Sequence, residues 1–143
     1  WEKQILPMEC FILTMEYVSN FYKCSLTHNY EYDREEFAMD YISLYGYDPS
    51  LEGVHSKIAY AFMEHEGFRF SKISKDDIID CINRNNPVMA CVENGTHEVL
   101  IIGYLDTNTY KAANPATGKI EKWNKRVFSG CMSIEGYRLY DNK

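Results

Sequence analysis

The stretch Pro87-Val88-Met89-Ala90-Cys91-Val92-Glu93-Asn94-Gly95-Thr96-His97-Glu98-Val99-Leu100-Ile101-Ile102-Gly103-Tyr104 marks a change in the character of the chain. Val88 to Val92 reads as a short apolar strand, and Asn94-Gly95-Thr96 as a turn. Val99 to Ile102 is a continuous apolar run inside a strand expected over Glu98 to Tyr104. Such a run suggests a central strand buried on both faces. Downstream, Tyr110 to Asn114, Ile120 to Trp123 and Met132 to Tyr140 read as further strands. The turns Leu105-Asp106-Thr107-Asn108 and Pro115-Ala116-Thr117-Gly118 separate them.

Upstream, the pattern is helical. From Cys10 onward, Phe11, Met15, Val18 and Tyr22 form an apolar stripe, with Glu16, Asn20 and Lys23 away from it, as on an amphipathic helix. A second helix is expected after Asp33, with Glu36 completing a capping-box-like pair. Its inner face would carry Phe37, Tyr41, Leu44 and Tyr45. A third is expected from Leu51 to Glu66, burying Val54, Ile58, Ala61 and Phe62 and stopped by Gly67. Ser74 can cap a fourth that carries Ile78, Ile79 and Ile82 and ends before Pro87. The expectation is one α+β domain over residues 1–143, with a helical N-terminal half packed on an antiparallel sheet from the C-terminal half.

Composition narrows the function. The chain has 143 residues, 45% of them hydrophobic, which is enough for one core and argues against disorder. Fifteen basic and 21 acidic residues give a net charge of −6. That balance argues against a nucleic-acid partner, which a basic stripe would serve. The small cluster Lys119, Lys122, Lys125 and Arg126 reads as a solvated hairpin face. No apolar run is long enough to span a membrane. The chain opens on Trp1 with no secretory signal, which fits a piece of a processed protein and leaves the compartment open.

Five cysteines, Cys10, Cys24, Cys81, Cys91 and Cys131, form no C-x-x-C pair. Neither a zinc ribbon nor a thioredoxin-like site is expected. Four of the five read as small buried hydrophobes. Cys10 differs because it directly precedes a strong helical pattern. Unpaired N–H groups at a helix start stabilise a thiolate, and a neighbouring imidazolium would do so further.

His28, His55 and His65 read as ordinary polar residues. His97 differs because a partner can be placed beside it by counting. With Leu105 to Asn108 as the loop, Tyr104 closes against Thr109. Asn114 then lies opposite Val99, diagonal to His97 and on the same face. A three-residue loop without a bulge would move Asn114 to the wrong face. Asn114 before Pro115 also fits plain turn chemistry. Gln4, six positions before Cys10, carries an amide that can donate to an oxyanion, with the Cys10 N–H as second donor. A thiol at a helix start, a histidine at a strand start and an amide on the next strand are the parts of a thiol-based acyl-transfer site.

In this order and spacing, Gln4, Cys10, His97 and Asn114 resemble the papain-like cysteine peptidases. The nearer likeness is to the bacterial double-glycine, bacteriocin-processing peptidase domains and their stand-alone relatives. Those share a Gln…Cys opening and a Pro-Val … His-x-Val-x-x-x-Gly-Tyr segment, here beginning at Pro87 and ending at Tyr104. They also share an Asp/Asn-Pro-x-x-Gly turn, here Asn114 to Gly118.

The resemblance implies a papain-like fold and a cysteine peptidase acting on a peptide or protein through a thioester. Cys10 would be the nucleophile, His97 the base, Asn114 the orienting residue and Gln4 the oxyanion donor. Two positions depart from the pattern. Glu9 and Phe11 flank the cysteine where many relatives have a small residue, and Glu9 could raise the thiol pKa or favour a basic substrate residue. Asn114 stands where many bacterial relatives have Asp. The same groups also serve an acyltransferase, amidase or deamidase, and a non-catalytic binding module of the same fold is a further alternative. No cofactor or metal is expected: Ile101 stands where H-E-x-x-H needs its second histidine.

Overall fold

A computed structural model of the chain describes residues 3–4, 8, 10–23, 30–54, 56–137 and 140–141. Among the described residues, five α-helices alternate with seven strands only at the middle of the chain. The helices are α1 (Cys10–Lys23), α2 (Tyr30–Tyr45), α3 (Pro49–Glu52), α4 (Ser56–His65) and α5 (Ile78–Asn83). The strands are β1 (Phe68–Lys72), β2 (Val88–Val92), β3 (His97–Tyr104), β4 (Thr109–Asn114), β5 (Lys119–Asn124), β6 (Ser129–Tyr137) and β7 (Tyr140–Asp141). Six strands run in the order β1-β6-β2-β3-β4-β5, with β7 paired to β6, and every pairing is antiparallel. The molecule is α+β, with a helical front half and an antiparallel sheet behind. Among the described residues no helix is long and apolar enough to cross a membrane.

Alternation along β3 divides the core in two. Leu100, with Met89, Ala113 and Ile134, packs under α1. Val99 and Ile101, with Val88, Ala90 and Ala112, pack under Ile78 and Cys81 of α5. Val99, Leu100 and Ile101 are all fully buried, as an interior strand covered on both faces requires.

Several expectations are corrected. The helix α1 has no wet face over most of its length, because it lies between the sheet and α2. Every residue from Phe11 to Ser19 is buried, Glu16 included. Glu16 is tolerated there because Arg34 of α2 answers it: the Arg34 backbone N–H donates to Oε1 at 3.1 Å, and its guanidinium lies 4.0 Å from Oε2. The second helix begins at Tyr30, so Asp33 lies inside it. Leu44 and Ala61 face outward.

The expected helix from Leu51 to Glu66 is two helices. Gly53, at φ +81°, closes α3 with its N–H on the Pro49 carbonyl, a backbone turn that only glycine adopts freely. Strand β1 was not anticipated. Its Phe-Arg-Phe-Ser-Lys alternation is too short to stand out beside a helix, and it is held by pairing with β6 at the far end of the chain. Ser74 accepts from the Asp76 N–H but caps a short 3-10 turn, Lys75–Asp77, and α5 begins after Asp77 with no side-chain cap.

Leu100 joins α1 to the sheet at zero exposure. Truncating it to alanine should cost about 2–5 kcal/mol, read as a lowered denaturant midpoint at unchanged m-value.

Candidate active site

The turn before β3 sets the position of His97. Glu93, Asn94 and Gly95 all have positive φ, at 53°, 59° and 85°. Two consecutive non-glycine residues in that region are uncommon and costly. They reverse the chain within a few residues and bring His97 into register with Val92 of β2.

The β3–β4 hairpin does not close as counted from the sequence. Tyr104 pairs with Tyr110, not Thr109, so the connection is odd in length. The register then shifts between Ile101 and Gly103, a bulge on β3, and Leu100 pairs with Ala113. One extra residue in the turn and one in the strand offset each other. A step further along this register, Asn114 lies opposite Val99 and diagonal to His97, on the expected face. The two side chains meet: His97 Nε2 lies 2.6 Å from Asn114 Oδ1. Both residues are buried, at 9% and 6% exposure.

The direction of that bond follows from its neighbours. Asn114 Nδ2 donates to Glu121 Oε1 at 2.8 Å, and the Ala116 N–H donates to Asn114 Oδ1 at 3.0 Å. The amide nitrogen therefore faces Glu121 and the oxygen faces His97, so Nε2 carries the hydrogen and donates. That leaves Nδ1 of the neutral ring as its acceptor. Asn114 thus makes the plain turn contact and the histidine contact with one oxygen.

Glu121 was not singled out from the sequence. It pairs with Ala112 across β4 and β5, two positions from Asn114 on the same face. Its second oxygen accepts from Thr117 Oγ1 at 2.8 Å, which ties it to the turn.

Cys10 is the first residue of α1, half-buried. It lines a cavity of about 850 Å³ together with His97, Glu98, Cys91, Tyr60 and Met132. The expected depression of its thiol pKa is not found. Burial pushes the thiol up, the backbone N–H groups of Glu98, Phe11 and Cys10 itself pull it down, and the Glu98 carboxyl adds a further upward push. Burial wins, so the resting thiol is protonated. Gln4 lies at the other side of the site: its backbone N–H donates to the Pro115 carbonyl at 2.7 Å, next to Asn114. Gln4 is not among the residues that line the cavity.

Glu98 is the other residue that the sequence reading missed. Its signal was only its position: the residue after His97 must point to the opposite face, toward α1. It lies across from Cys91 on β2, whose thiol donates to Oε2 at 3.1 Å. Burial pushes the carboxyl up to about 7, and the Cys91 hydrogen bond opposes this only in part. Cys91, expected as a core residue, is half-exposed in the cavity wall, and burial and Glu98 raise its thiol strongly. Burial likewise pushes Cys131 up to about 11. Cys81 and Cys131 are buried as expected.

Glu9, Cys24, His28 and His55 lie outside the described residues. His65 is exposed, with its Nδ1 3.1 Å from Oε2 of its neighbour Glu66. The basic cluster is a solvated face, with Lys125 paired to Asp76. Among the described residues no group of His, Cys, Asp and Glu is arranged to hold a metal ion. No model of a known protein family matches the chain, and no curated protein matches it.

Two predictions follow from these contacts. Replacing Glu121 with alanine should lower the population of the Nε2–H tautomer of His97, read by histidine ¹⁵N NMR, whereas Glu121→Gln should keep it because its Oε1 still accepts from Asn114. The second concerns stability. The folded Glu98 holds its proton to about pH 7 against an ordinary value of 4.5. The contribution is complete below pH 4.5 and is lost as pH rises through 7. Unfolding free energy should fall by on the order of 3 kcal/mol across that window, and Glu98→Gln should flatten the fall in pH-dependent denaturation.

Proposed function

We propose that this chain is a cysteine peptidase of papain-like architecture, acting on a peptide or protein. The observation that carries this reading is the oriented His97–Asn114 pair at the wall of the cavity that also holds the Cys10 thiol. A binding module needs no imidazole with its tautomer held in the wall of a cavity that also holds a thiol.

In this reading Cys10 Sγ attacks the substrate carbonyl while Nδ1 of His97 takes the thiol proton. Because the resting thiol is protonated, transfer accompanies attack, and His97 acts as a general base. The Cys10 N–H donates to the tetrahedral oxyanion, and Gln4, the expected second donor, does not line the cavity. His97 then gives its proton to the leaving amine, the C–N bond breaks, and a thioester remains on Cys10. Water, deprotonated by His97, hydrolyses it. An amine in the place of water at that step would give acyl transfer, and product masses separate the two.

Peptide-library cleavage tests the reading. Wild type should cleave, and Cys10→Ala should lose at least about a thousandfold in kcat/KM. Iodoacetamide should modify Cys10 ahead of Cys91, because backbone donors assist the first thiol and every cause acting on the second opposes ionisation. Cleavage that survives Cys10→Ala would remove the thiol from the mechanism.

A further inference from the structure

The cavity contains an acidic group that the proposed reaction does not use. Glu98 belongs to the wall and is 7% exposed. The one hydrogen bond to its carboxyl comes from Cys91 Sγ, a weak donor, and is made to Oε2. Oε1 takes none from the described residues and is not sealed off from the cavity. A buried carboxylate with a single thiol donor is poorly compensated for the water it has lost.

Its surroundings supply no cation. Among the described residues lining the cavity there is no lysine or arginine, and the second acidic one, Glu52, is exposed. The titratable groups around Glu98 are Cys10 from α1, Tyr60 from α4, Cys91 from β2 and Cys131 from β6. Each is neutral or negative when it titrates, and none can serve as a counter-ion. His97, the next residue on β3, lines the same cavity, with its Nε2 engaged by Asn114. Lys72 holds its ammonium 4.4 Å from the Tyr60 ring and does not line the cavity. The rest of the wall includes Phe11, Val54, Tyr60 and Met132. Such a wall accepts an alkyl stem, and its aromatic faces tolerate a positive head.

We infer that this wall is a subsite for a cationic side chain of the substrate, lysine or arginine, with Glu98 as its counter-ion. The inference deepens the peptidase reading and rests on it for the identity of the ligand as a substrate. It also gives the acidic neighbour of Cys10 a purpose. Glu98 opposes ionisation of the thiol in the empty site. A bound ammonium or guanidinium cancels that charge, so the thiolate forms more readily once the correct substrate is seated.

Three methanethiosulfonates test the subsite without any turnover: the 2-aminoethyl, methyl and 2-sulfonatoethyl reagents. In each case Cys10 Sγ displaces methanesulfinate and forms a mixed disulfide, located by peptide mass spectrometry. Rates at pH 8 are divided by those of 2-mercaptoethanol. The aminoethyl reagent should exceed the methyl reagent at Cys10 by about tenfold or more, the sulfonatoethyl reagent should fall below it, and Glu98→Gln should erase the ordering. Equal normalised rates in wild type would overturn the subsite, and that comparison needs no variant. So would an ordering that persists in Glu98→Gln shown by circular dichroism to be folded. A parallel library should favour lysine and arginine over norleucine and citrulline at one position, with the preference lost in Glu98→Gln. Charge-ordered labelling without cleavage would sink the peptidase reading and keep the cation subsite. Cleavage with no preference for a cation would do the reverse.

Discussion

The hydrogen bond from His97 Nε2 to Asn114 Oδ1 depends on a register that is reached in two offsetting steps. An odd-length turn moves β4 by one residue against β3, and the bulge at Ile102 moves it back. Either step alone would turn Asn114 to the opposite face of the sheet, because side chains alternate with period two. The buried strand around this point stiffens the arrangement. Val99 and Leu100 are locked into opposite core layers, so β3 cannot slip without exposing both. Glu121 then fixes the amide, and the amide fixes the tautomer. The positions of the histidine, the asparagine and the glutamate are consequences of one sheet register.

Around Cys10 two physical effects compete. The start of α1 offers N–H groups that favour a thiolate, and the cavity wall removes the water that would solvate one. Burial prevails, and Glu98 reinforces it. A site with this balance is not a preformed ion pair. In the peptidase reading proposed above, such a site stores the thiol as a neutral group and relies on a base, and on whatever neutralises Glu98, at the moment of attack. In the same reading, the buried carboxyl that holds the Cys10 thiol protonated is also the group proposed to meet a cation.

Much of this was legible in the sequence because it is local or periodic. The run Val99 to Ile102 marked the central strand, Cys10 stood directly before a helix, and turn counting put Asn114 beside His97. That count reached the right face through a wrong closing pair, since a bulge leaves no mark in a sequence with no glycine at the bulged residue. What escaped depends on distant partners. Strand β1 exists because β6 pairs with it. Glu16 looks like a surface residue until Arg34 packs against it. Glu98 and Glu121 look like ordinary strand acids until α1 and the turn at Thr117 close over them. The pKa of Cys10 could not be read from its helix position, because burial is a property of the whole fold.

The most direct measurement is the intact mass of the protein after acid quench of a reaction with an activated lysyl peptide ester. The account predicts a transient acyl adduct, one per chain, mapped to Cys10 and absent in Cys10→Ala. It should form more slowly in Asn114→Ala, whose imidazole is no longer held. Turnover of the ester with no adduct at Cys10, or an adduct on another residue, would contradict the account.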